Sequence, residues 1–127
     1  MLKKVGKLSS VMLVVLLLST MMFTGVSAQD NITICFSFQD LETEFWVAGH
    51  LAITEELRSR GYEVLEYNAN ENPDRQLEQV RDCIAQGVDG IIIIPQDGDS
   101  AVTMIGEAQA ADTPIAVFNR PPNDRSR

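Results

Sequence analysis

The sequence predicts an α/β fold, a three-layer αβα arrangement around a parallel sheet. Four short apolar runs, at 32–36, 62–67, 90–94 and 114–118, alternate with three longer stretches of helical period. That alternation is what βαβ units produce. Ile91-Ile92-Ile93-Ile94 is continuously β-branched, as expected of a strand covered on both faces. Crossovers between parallel strands are right-handed, so helices reach both faces only if the strand order reverses. Order 2-1-3-4 meets that condition and puts the reversal beside the first strand.

Each helical stretch carries its own start and stop. The first is expected from about Thr43 to Arg60, with Glu42 and Glu44 at its start, where negative charge complements the helix dipole. Trp46, Gly49, Ile53 and Leu57 form its apolar stripe, and Gly61 supplies the stop. The second opens at Asn72-Pro73, an N-cap followed by proline at the first helical position. Leu77, Val80 and Ile84 face its core side, and Gly87 closes it. The third starts near Asp99 or Ser100, turns Ala101, Met104, Ile105 and Ala108 inward, and stops before Pro114. Residues 121–127 read as a tail.

In sheets of this kind, ligands bind beyond the carboxyl ends of the strands, near the reversal point. The segments to inspect are 37–46, 68–72, 95–99 and 119–122. Phe45-Trp46 at the first helix entrance, beside Ser37-Phe38-Gln39-Asp40, suits a sugar, whose C–H faces pack on aromatic rings. From position alone, a staple of the first helix to the sheet is the favoured role for the same two rings. Asn119 both donates and accepts hydrogen bonds, and Arg120 offers a fork of donors; a surface loop salt bridge is the alternative for Arg120. Asp97 can accept from a hydroxyl, although Asp before Gly98 is more often turn chemistry. Asn70-Glu71-Asn72 reads as loop and helix cap. His50 reads as a partly exposed helix residue without a partner, and Glu55-Glu56 as a solvated face.

The N-terminus says where the chain goes. Lys3, Lys4 and Lys7 precede an apolar run from Val11 to Leu18, and Val26-Ser27-Ala28 offers a small-residue cleavage site. That is the layout of a secretory signal peptide over residues 1–28, cleaved after Ala28, with the mature chain at 29–127. The apolar stretch, at most Val11 to Phe23, is shorter than the ~20 residues needed to span a bilayer. All three lysines leave with the signal, so seven Arg face eighteen Asp and Glu, a formal charge of −11. Such a surface argues against nucleic acid and anionic membrane as partners.

An oxidising compartment permits a bond between Cys35 and Cys83, but two cysteines make no disulfide framework. In a strand and on a helix, free cysteine commonly serves as a small buried hydrophobe, and two free thiols is the favoured expectation. With His50 as the sole histidine and no close cysteine pair, a metal site is not expected. Enzymatic signatures are missing too: there is no G-x-G-x-x-G, no Walker-type loop and no G-x-S-x-G elbow. No catalytic residue and no cofactor is assigned.

From Asn31 to about Arg125 the chain resembles the N-terminal lobe of periplasmic sugar-binding proteins of the ribose and glucose/galactose type. The likeness rests on Phe45-Trp46, on Asn72-Pro73-Asp74-Arg75-Gln76-Leu77, and on Gly87 through Pro95. Thr113-Pro114-Ile115 and Phe118-Asn119-Arg120 complete it. The resemblance implies a type I periplasmic binding protein fold and a substrate-binding, non-enzymatic component of an ABC sugar importer. It implies that Phe45 or Trp46 stacks on a monosaccharide and that Asn119 and Arg120 hydrogen-bond its hydroxyls, with Ser37 a weaker carry-over. The implied partners are the sugar, the permease membrane subunits and a chemoreceptor. Family members are about three times as long, so an incomplete N-terminal lobe with an uncovered apolar edge at 115–118 is the expectation. The alternative function is the extracytoplasmic sensing domain of a signalling receptor, for a sugar or an autoinducer.

Overall fold

Four parallel strands and three helices alternate along residues 31–123, the stretch that the computed structural model describes. The strands are β1 (Thr33–Phe38), β2 (Glu63–Asn68), β3 (Gly90–Ile94) and β4 (Ile115–Val117). The helices are α1 (Glu44–Ser59), α2 (Pro73–Gln86) and α3 (Gly98–Ala110). The sheet order is β2-β1-β3-β4 with every pairing parallel, the expected 2-1-3-4. The expected signal peptide lies outside the described residues.

β1 runs two residues further than the sequence suggested. Ser37 and Phe38 still pair with Tyr67 and Asn68 on one side and with Ile93 and Ile94 on the other. The pairing continues because burial continues: both residues are covered, so leaving the ladder there would strand backbone groups away from water. α3 begins at Gly98, a residue or two early, because the Asp97 carboxylate accepts from the Asp99 and Ser100 N–H groups. Asn72 caps α2 at the Arg75 N–H, 2.9 Å away, and Gly87 ends it in the left-handed region at φ 70°.

Alternation along the strands divides the core in two. Cys35, Ile91 and Ile93 meet Val80 and Cys83 of α2 and Met104 and Ala108 of α3 on one face. Phe36, Phe38 and Ile94 gather Trp46 and Ile53 of α1 on the other. One helix therefore covers a face of four strands. Between α1 and the sheet edge, a groove of about 390 Å³ is lined by Ala52, Ile53, Leu57, Ile92 and Phe118. Phe118 is 44 % exposed there, and among the described residues β4 pairs only with β3.

Two expectations are corrected. Cys35 and Cys83 are not free thiols; they form a disulfide with Cα atoms 6.1 Å apart, joining β1 to α2. The fully buried residues of α2 are Gln76, Val80 and Cys83, while Leu77 and Ile84 pack half-buried against the same core. Nor is His50, which is partly exposed as expected, without a partner. Its ring stacks on Phe36 and meets Phe38 edge-on, and its Nε2 pairs with Glu66 of β2. Arg58 pairs with the other Glu66 oxygen, so α1 is tied to the outer strand by two cationic or polar groups on one carboxylate.

Removing the disulfide with Cys35→Ala and Cys83→Ala is expected to lower unfolding free energy by about 2–5 kcal/mol, given a 48-residue separation. Denaturant unfolding with and without reductant checks this, and reductant should leave the double variant unchanged. Burial alone raises the Glu66 carboxyl, but hydrogen bonds and charge from Arg58 and His50 outweigh it and hold it below the ordinary glutamate range. A carboxyl depressed in the folded state stabilises above its unfolded pKa, and that contribution disappears as pH falls through the folded one. Unfolding midpoints of the parent and Glu66→Gln should therefore separate above about pH 5 and converge in more acidic solution.

Candidate functional site

The chain leaves β1 toward α1 on one sheet face and leaves β3 toward α3 on the other, so the tips of these neighbours diverge. Gln39 and Asp40 follow β1 and are 6 % and 5 % exposed. Gln39 Nε2 donates to Asp40 Oδ2 at 2.7 Å, and the Glu42 N–H donates to Oδ1 at 2.9 Å. Each Asp40 oxygen is thus fixed by one donor. Across from it, the loop after β2 places Asn70 and Glu71 at φ 49° and 57°, left-handed values that asparagine tolerates and glutamate seldom adopts. The Glu71 N–H donates to the Gln39 carbonyl at 2.9 Å, which bridges the two loops. Between them lies a cleft of about 270 Å³ lined by Asp40, Leu41, Glu42, Asn68, Asn70 and Glu71.

The aromatic pair sits at the opening of α1, beyond the Thr43 cap. The rings meet edge to face, with centroids 4.8 Å apart. Their environments differ. Trp46 packs against the Phe36, Phe38 and Ile94 cluster, whereas Phe45 is 61 % exposed. The staple and the exposed platform are therefore separate residues.

At the other side of the reversal, Asp97, Asn119 and Arg120 collect beyond β3 and β4. Both capping bonds of Asp97 fall on its Oδ1. Asn119 stands at φ 67°, and the Arg120 N–H donates back to the Phe118 carbonyl at 2.8 Å, closing a three-residue turn. That turn swings Arg120 over the end of β3. Its Nη1 donates to the Pro95 carbonyl at 3.0 Å and to the Gln96 carbonyl. These bonds use one guanidinium nitrogen and leave the rest of the fork outside them. Asn123 folds the following segment onto α3, through the Gly98 carbonyl and the Asp99 carboxylate.

Ser37 is placed differently from the other candidates. It is fully buried, and its hydroxyl donates to Gln79 of α2 at 3.0 Å. It supports the tip of β1 from beneath instead of facing outward. Sequence reasoning assigned no role to Gln76 and Gln79, which reach the strand ends from α2, or to Gln96, whose N–H donates to Gln76. A glutamine at an inward helical position was the available signal. Gln39 Oε1 and Gln96 Oε1 are buried acceptors with no partner among the described residues. Among those residues, no group of three or more His, Cys, Asp or Glu is placed to hold a metal.

Carboxylates and amide oxygens can accept hydrogen bonds, a guanidinium donates them, and an exposed ring offers an apolar face, which are the group types that polyhydroxy compounds engage. A family model described as periplasmic binding protein domain matches residues 34–127. The ribose import binding protein of Bacillus subtilis (strain 168) is 32 % identical over 88 residues, 69 % of this chain and 29 % of the relative. The D-xylose-binding periplasmic protein of Escherichia coli (strain K12) is 28 % identical over 109 residues, 85 % of this chain and 33 % of the relative. Among solved structures, an ABC transporter solute binding protein from Bacillus halodurans C-125 with bound myo-inositol superposes with TM-score 0.70 at 30 % identity. That match covers 73 % of this chain and 32 % of the other. The chain spans about a third of the length of the relatives it matches.

Proposed function

The chain belongs to the periplasmic binding protein domain family, and from that membership we propose that it captures a monosaccharide for an ABC importer. Residues 1–28 act as a signal peptide cleaved after Ala28, and the mature chain works in the periplasm, delivering its ligand to the permease membrane subunits. No bond is made or broken; the work is recognition. One observation supports this most directly. Arg120 is held at the β3 tip through Nη1 alone, leaving donors for ligand hydroxyls at the same sheet end as the exposed Phe45 ring.

In this reading Phe45 stacks on the apolar face of the sugar, and Trp46 fixes the helix turn that presents it. Arg120 and the Asn119 amide hold vicinal hydroxyls, while Asp97 accepts through Oδ2, the oxygen its capping bonds leave. Ser37 contributes by bracing the β1 tip. The relatives support a sugar as ligand class, since two are named for ribose and D-xylose.

Isothermal titration of the chain with D-ribose, D-xylose and a panel of other pentoses and hexoses tests the reading. Arg120→Ala is expected to weaken binding tenfold or more, the loss of a charge-assisted hydrogen bond of roughly 1.5–3 kcal/mol. Phe45→Ala is expected to weaken it severalfold without moving the unfolding midpoint, because stacking contributes about 0.5–1.5 kcal/mol and the ring is exposed. Trp46→Ala should lower both affinity and stability. Unchanged affinity in all three variants would reject this surface as the sugar site.

A further inference from the structure

We propose that Gln76 and Gln79 are positioning residues that hold the tips of β1, β2 and β3 in one arrangement and, through it, aim Arg120. The proposal rests on the reading of Arg120 as a ligand donor. The two glutamines stand three residues apart on α2, so they share one helix face. Gln79 reaches the outer and central strands: its Oε1 accepts from the Ser37 hydroxyl at 3.0 Å, and its Nε2 donates to the Asn68 carbonyl at 2.9 Å. Gln76 reaches the other side of the reversal. Its Nε2 donates to the Ile94 carbonyl at 2.9 Å and lies 3.5 Å from the Ser37 carbonyl, and its Oε1 accepts from the Gln96 N–H at 3.0 Å.

These bonds fall where the sheet ladder gives out. β1 and β3 part beyond Phe38 and Ile94, and a carbonyl left there without a donor would be buried and unpaired. Gln76 is itself 0 % exposed, so its amide has no water to turn to and is committed to these partners. Gln96 is then the link onward. Its N–H is held by Gln76, while its carbonyl and that of Pro95 accept from Arg120. The guanidinium after β4 is thus set by a peptide that a helix on the far side of β1 holds in place. A hydrophobe at position 76 would fill the space and leave that peptide free to turn.

Gln76→Met keeps similar bulk without the amide, and a double-mutant cycle with Arg120→Ala in the full chain separates positioning from packing. With D-ribose and D-xylose as ligands, Gln76→Met is expected to weaken binding about tenfold when Arg120 is present. It should have less than a twofold effect in the Arg120→Ala background. Its effect on the unfolding midpoint should be the same in both backgrounds. Equal affinity losses in the two backgrounds would overturn the proposal. Nitrogen-15 spectra without ligand test the same link independently of any sugar. Gln76→Met should shift the Gln96 amide and Arg120 Nε signals, and Arg120→Ala should shift the Gln76 side-chain amide. The second arm serves even where Gln76→Met does not fold. Unmoved signals overturn the proposal; moved signals in a chain that binds neither sugar uphold it while removing the sugar reading.

Discussion

The feature on which everything else depends is the reversal of winding beside β1. A strand whose neighbours continue in opposite directions around the sheet must part from one of them at its carboxyl end. Here β1 and β3 separate beyond Phe38 and Ile94, sending α1 and α3 to opposite faces. The separation makes a crevice, and the crevice exposes backbone groups that the ladder no longer serves. Local devices answer that exposure: the Gln76 and Gln79 amides on α2, a fixed Asp40 carboxylate, and the Asn119 turn that brings Arg120 back over β3. Of these, Arg120 leaves donors outside its bonds, and in the proposed reading they serve a ligand rich in hydroxyls.

The two faces of the sheet are secured by different means. Beneath α2 and α3 the packing is nearly closed, and the Cys35–Cys83 bond fixes the helix that carries the bracing glutamines. Over the other face α1 works alone. Its apolar stripe is only half-buried, and His50 with Arg58 on Glu66 supplies the anchorage that a second helix would otherwise share. The apolar groove beside β4 lies on this thinner side. Phe45 belongs to the same helix, so its stance at the crevice depends on the anchorage below it.

Much of the fold was legible in the chain. Asn72-Pro73 and Gly87 mark the ends of α2 because capping and left-handed backbone are local properties of those residues. The isoleucine run of β3 and the order of elements carried the topology. What escaped notice depended on contacts between distant segments. Nothing near His50 on α1 announces Glu66, sixteen residues away on β2. The sequence permits the disulfide but does not favour it, because a strand cysteine and a helix cysteine look alike whether bonded or free. Gln76 hid behind Leu77 and Ile84, which suggest a helix face slightly rotated from the true one. Phe45 and Trp46 were visible as a pair, but only packing against Phe36 and Phe38 decides which ring is the staple.

In the proposed site, recognition chemistry and fold maintenance draw on the same groups. Asp97 caps α3 and offers an oxygen; Arg120 closes over β3 and keeps donors free. A mapping of amide shifts on addition of D-xylose or D-ribose to the isotope-labelled chain tests this view most directly. The account predicts saturable changes clustered at residues 39–46, 95–98 and 118–120. Changes confined to the groove at Ala52, Ile53 and Leu57, or none at either place, would contradict it.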